Sequence, residues 1–185
     1  MSSPATVFEP DRYRGYLLVI VRRNWSAALQ SYGEPEDVVQ LAIIEAIRCG
    51  DQFRGQTAEE YRGWLGTVLT NTIKDIEKQQ LRKKRDYRRI GPIEDDVGRS
   101  SDALCRFAAA GPSPSSGAAQ EEALLRLADA LAGLPLDQFL AVSLHHLDGL
   151  TLKETAERTG RTKAAVAGHL RRAMETLRAV LGGGP

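Results

Sequence analysis

The sequence predicts an all-α protein made of two small helical domains joined by a flexible linker. Three observations carry this. Apolar residues recur at helical spacing along most of the 185-residue chain. No stretch alternates apolar and polar residues for long enough to make a strand. One tract, Ile90 to Ala119, breaks the periodicity with the segments GPIEDDVGRSSD and AAAGPSPSSGAAQ. Such Gly-, Pro-, Ser- and Asp-rich composition holds too little apolar surface to form a core. The expected organisation is a first domain over 1–90, a linker over 91–119 with a short helical turn around Ala103 to Ala108, and a second domain over 120–185.

The first helix is expected from Pro10 to Ser31. Tyr13, Leu17, Val21, Trp25 and Leu29 step along one face, and Gly33 closes it. A second helix spans Pro35 to Cys49, with proline in the first turn, where its missing N–H would be unpaired anyway. Val39, Ile43, Ala46 and Ile47 give its apolar face, and Gly50 stops it. A polar connector from Asp51 to Gln56 precedes a third helix over Thr57 to Arg85. Trp64, Leu65, Val68, Leu69, Thr72, Ile73 and Ile76 form its inward stripe, which Gly63 and Gly66 weaken locally. Beyond the linker, helices follow over Gln120 to Gly133 and Pro135 to Leu147.

The most specific pattern comes last, in LDGLTLKETAERTGRTKAAVAGHLRRAMETLRAVL. A short helix over Leu152 to Thr159 ends at Gly160, which takes positive φ cheaply. Thr162 is placed to cap a second helix that runs to Leu181. Val166, Leu170, Ala173, Leu177 and Val180 form its buried stripe; Lys163, His169, Arg171, Arg172 and Arg178 lie on the other face. A helix-turn-helix lays its second helix in the DNA major groove. The alternative is an ordinary helical hairpin with a solvated basic face.

Net charge is only +1, so bulk charge decides nothing about nucleic acid. Segregation of charge matters more. Basic residues crowd Lys74 to Arg89 and Arg161 to Arg178, while acids gather at Glu34, Glu36 and Asp37 and at Glu94, Asp95 and Asp96. The second acidic group, on the linker, reads as solvated charge or as an imitation of nucleic acid. Cys49 and Cys105 lack a CxxC partner and are expected to be free thiols in a reducing cytoplasm. No apolar run is long enough to cross a bilayer, and the N-terminus lacks a signal-peptide pattern. The expectation is a cytoplasmic protein with no membrane insertion.

Catalytic chemistry finds no support. His145 and His146 are adjacent and point to different sides of a helix, unlike an i, i+4 metal-binding pair. There is no GxxxxGK[ST] loop, no spacing that suggests a nucleophile with its base, and no convergent acids of a nucleic-acid enzyme. The chain is therefore expected to be no enzyme and to need no cofactor or metal.

Taken in order, GEPEDVVQLAIIEAI, FRG, WLGTVLTNTIKD, a basic run and LDGLTLKETAERTGRTKAAVAGHLRRAMETLR resemble the bacterial sigma factors of the extracytoplasmic-function (ECF) type, within the sigma-70 superfamily. The likeness covers both helical domains. It implies a transcription initiation factor with a region 2-like domain and a region 4-like domain. The first would bind the β′ clamp helices of core RNA polymerase and the −10 element; the second would bind the β flap and the −35 element. On this resemblance Glu36 and Asp37 pair with basic clamp residues, Gln40 adds a polar contact, and Val38, Val39 and Ile43 add apolar ones. Helix capping by the two acids and core packing by Val39 and Ile43 are the competing account. Leu41 and Ile43 depart from the family pattern of an acid and an aromatic residue.

The resemblance further places Phe53, Arg54, Asn71, Lys74 and Lys78 at the −10 element, as base platform, base-edge partner and phosphate contacts. Phe53 as core and Asn71 as a solvated residue are the alternatives. Thr162, Lys163, Ala167, Gly168 and His169 would face −35 bases, with Arg171 and Arg172 on phosphates. Small residues at Ala167 and Gly168 leave reading to DNA shape or to Lys163 and His169. The family also implies a regulatory partner, either an inhibitory anti-sigma factor or a kinase-linked regulator. The rival function is a stand-alone helix-turn-helix regulator that binds duplex DNA without polymerase.

Overall fold

The structure, a computed structural model, describes residues 8–84, 93–109 and 117–182. All regular elements among the described residues are helical. The chain divides into two compact units, Met1–Ser101 and Asp102–Pro185.

In the first unit a 3-10 turn, Pro10–Tyr13, leads into α1 (Arg14–Arg23), then α2 (Ala27–Gln30), α3 (Pro35–Arg48) and α4 (Ala58–Lys84). Tyr16, Leu17 and Ile20 of α1, Leu29 of α2, Val38 and Val39 of α3, and Leu65, Leu69 and Ile73 of α4 are buried together as its core. The single helix expected from Pro10 to Ser31 is broken. The Asn24 side chain donates to the Ile20 carbonyl at 2.8 Å and ends α1, and Ser26 Oγ accepts from the Leu29 N–H and starts α2. Asn and Ser side chains compete with the helical ladder in this way. Trp25 sits in the break, half-buried rather than on a continuous stripe.

Helix α3 has a second departure. Val38, Val39, Ala42, Ile43 and Ala46 are buried, whereas Ile47 is 66% exposed. At 100° per residue, Ile47 lies roughly 110° from the centre of that buried face. Helix α4 follows expectation, with Leu65, Val68, Leu69, Thr72, Ile73 and Ile76 buried and Trp64 half-buried. Residues 85–92, which hold much of the basic run, lie outside the described residues, as do the side chains of Lys83 and Lys84.

The tract expected as a flexible linker contains a 17-residue helix, α5 (Ile93–Ala109), and α6 (Gly117–Ala132) starts within its last residues. The polar composition hides an i, i+3, i+7 face: Val97, Ser100 and Leu104 are each at most 4% exposed. Asp96 pairs with Arg99 on its solvent side. The remaining linker residues, 91–92 and 110–116, and the Glu94 and Asp95 side chains lie outside the described residues.

In the second unit α6 is followed by α7 (Leu136–Val142), a π turn (Ser143–Leu147), α8 (Leu152–Thr159) and α9 (Lys163–Gly182). Leu124, Leu131, Phe139, Val142, Val166, Leu170, Ala173 and Leu177 form the core. Val180 was expected to continue the α9 stripe but is 53% exposed, because the last turn of α9 runs out into solvent. Cys49 and Cys105 are free thiols, and no described helix is long and apolar enough to cross a membrane.

Candidate nucleic-acid and polymerase interfaces

Local chemistry sets the α8–α9 pair at the start of α8 and around the turn that follows it. Thr151 and Glu154 form a capping box: the Glu154 N–H donates to Thr151 Oγ1 at 3.2 Å, and the Thr151 N–H donates to Glu154 Oε2 at 2.8 Å. Hydrogen bonds from the Thr151 side chain, then from its backbone, hold the Glu154 carboxyl below its usual range. Gly160 closes α8 with φ of 64°. The Arg161 guanidinium reaches both Asp137 oxygens of α7, at 3.0 and 3.1 Å, and braces the turn. Thr162 Oγ1 accepts from the Ala165 N–H at 3.2 Å and caps α9.

This arrangement buries Val166 and Leu170 and leaves Thr162, Lys163, Ala167, Arg171 and Arg172 exposed. Gly168 and His169 are half-buried at the edge of the same surface. Arg172 Nη2 donates to His169 Nδ1 at 3.2 Å. Arginine has no acceptor, so neutral His169 carries its proton on Nε2. Arg171 lies 3.8 Å from Glu175. The face is therefore accessible and cationic.

The expected −10 residues are distributed less evenly. Phe53 belongs to an aromatic cluster, with ring centroids 5.1 Å from Tyr61, 5.7 Å from Trp64 and 5.8 Å from Phe8. Burial in this cluster pushes the Tyr61 hydroxyl up to about 12. Phe53 is thus half-buried packing rather than a free platform. Arg54 turns back to donate to the Asp51 carbonyl. The start of α4 is set by a second Thr-Glu box. Glu60 Oε2 accepts from the Gln56 and Thr57 N–H groups at 2.8 and 3.0 Å, which lowers its pKa. Asn71 is exposed, Lys74 half-buried, and Lys78 lies 3.8 Å from Asp75. Asn71 borders an open groove of about 350 Å³ that it shares with Arg62, Thr67 and Thr70 of α4, Val97 and Ser101 of α5, and Tyr16.

On α3 the structure separates the expected residues. Val38, Val39 and Ile43 are at most 3% exposed and belong to the core. Glu36, Asp37 and Gln40 are at the surface, each with a partner in its own chain. The Arg22 guanidinium pairs with Glu36 at 2.9 Å, Arg14 donates to Gln40 Oε1 at 2.9 Å, and Asp37 Oδ2 accepts from the Glu34 N–H at 2.9 Å as part of a capping box. Apolar surface on α3 comes instead from Leu41, Ile44 and Ile47, exposed by 36%, 43% and 66%. Their i, i+3, i+6 spacing was visible in the sequence, behind the stronger stripe through Val39, Ile43 and Ala46.

Residues 124–177 match the family described as Sigma-70, region 4. Over 144 residues the chain is 32% identical to the ECF RNA polymerase sigma-E factor of Escherichia coli (strain K12), aligning 76% of this chain with 72% of that protein. The Shigella flexneri sigma-E factor gives the same figures, and that of Salmonella typhi is 31% identical over the same shares. The chain belongs to the ECF family of sigma-70 factors. This sigma factor is accordingly a transcription initiation factor, of a family that acts by binding rather than by catalysis. No cluster of potential metal ligands occurs among its described residues. Three features escaped the sequence reading: the Arg161–Asp137 brace, the exposed stripe of α3 and the groove at Asn71. The brace joins residues 24 apart in sequence, and no local pattern announces such a pair.

Proposed function

We propose that this sigma factor recruits core RNA polymerase, reads the −35 and −10 promoter elements with separate units, and promotes melting at −10. The observation that carries this is the exposed basic face of α9, held by a braced glycine turn. Lys163 and the Nε2–H of His169 suit acceptors on base edges, and Arg171 and Arg172 suit phosphates. Asn71 offers both a donor and an acceptor to an unstacked base, with Lys74 and Lys78 on the strand's phosphates. Trapping such bases offsets the cost of unpairing them. Phe53 and Arg54 contribute by shaping the loop.

Helix α3 is the proposed docking surface for the β′ clamp, through Glu36, Asp37 and Gln40 together with Leu41, Ile44 and Ile47. The second unit is assigned to the β flap. The protein acts in the cytoplasm, and an anti-sigma factor or kinase-linked regulator is its expected regulatory partner. Run-off transcription with purified core polymerase tests the reading. Initiation from a cognate promoter only when this protein is added supports it. Tight duplex binding by the protein alone, with no effect on polymerase, refutes it.

A further inference from the structure

We infer that the first half of α5 is a displaceable strap that closes the base-reading face of α4 in the free protein. The inference rests on the proposed role of Asn71 at the −10 element. Val97 is the strap's apolar anchor, 4% exposed. It lies against Gly66 of α4, where an added Cβ would stand 4.0 Å from Val97 Cγ1. Ser100, also 4% exposed, accepts from Arg23 Nε at 3.2 Å and Asn24 Nδ2 at 3.1 Å. The Tyr16 hydroxyl donates to Ser101 Oγ at 2.7 Å.

The strap and α4 together bound the 350 Å³ groove that Asn71 lines. That volume is at the small end of ligand pockets. A single strand bound along a helix needs an open track for several successive phosphates as well as room for its bases. Docked α5 occupies one side of that track. The attachment is suited to release, because among the described residues Val97 anchors it and the hydrogen bonds of Ser100 and Ser101 are each of small net worth in water. Polymerase or promoter binding can therefore select the open state.

A reversible cross-link tests this. Gly66→Cys and Val97→Cys are combined in a chain carrying Cys49→Ser and Cys105→Ser, oxidised or reduced, and assembled with core polymerase. Binding to a promoter fragment pre-melted at −10 is then measured. The expected result is efficient cross-linking in the free protein, normal assembly, and a loss of about tenfold or more in DNA affinity that reduction restores. The release variant Ser100→Ala should bind the same fragment roughly fivefold more tightly than the parent, as expected for lost hydrogen bonds in the closed state only. Equal affinity of the oxidised and reduced holoenzymes overturns the strap alone. Failure of the cysteines to cross-link does the same. A chain that assembles with polymerase in neither state overturns the functional reading on which the strap depends.

Discussion

Replacing both Ile44 and Ile47 of α3 by serine should weaken polymerase binding without unfolding the protein. The two side chains are 43% and 66% exposed, so the folded chain gains little from them. Complete burial of an isoleucine is worth roughly 1.5–3 kcal/mol. Scaled by those exposures, covering both on docking contributes about 2.5 kcal/mol, or roughly a 60-fold change in Kd. Ile43→Ala is the matched control. Ile43 is 3% exposed, so its truncation should cost about 2–5 kcal/mol of stability. Binding of labelled protein to core polymerase, followed by anisotropy and paired with thermal melts, separates the two effects. The reasoning fails if the double serine variant binds as tightly as the parent, or if Ile43→Ala weakens binding while leaving Tm unchanged.

Other expectations follow from the same geometry. Gly160→Ala forces a side chain into φ of 64° and should cost about 1 kcal/mol, seen as a lower Tm and weaker binding to −35 duplex; an unchanged Tm contradicts this. Arg172→Ala should weaken duplex binding similarly on all sequences and flatten the log–log salt dependence by about one; a change confined to one base position would assign it to base reading instead. Glu60 and Glu154 both have carboxyl pKa values lowered from the ordinary glutamate value in the folded chain, because hydrogen bonds at their helix N-termini favour the ionised form. The unfolded chain therefore takes up their protons first as pH drops. Their contribution is present in full above the ordinary glutamate titration range and is lost as pH falls through the lowered folded values. The variant with Glu60→Gln and Glu154→Gln should show a shallower acid limb in Tm measured against pH, and an unaltered limb would refute the assignment.

The amino-acid order alone determined α3, α4, α8 and α9, the turn at Gly160, the Thr162 cap and the stripe from Val166 to Leu177. These depend on contacts within a few residues, which local periodicity and capping chemistry report directly. Only the tertiary structure decided which of two apolar stripes on α3 is covered, since periodicity alone does not say which side of a helix meets a neighbour. It also decided that Phe53 packs among aromatic rings rather than standing free. Composition concealed α5 for a related reason: a helix that buries Val97, Ser100 and Leu104 needs few apolar residues when its serines find partners 77 and 85 positions away. Contacts at that sequence separation leave no trace in a local window, and they are what turn a polar tract into an ordered helix.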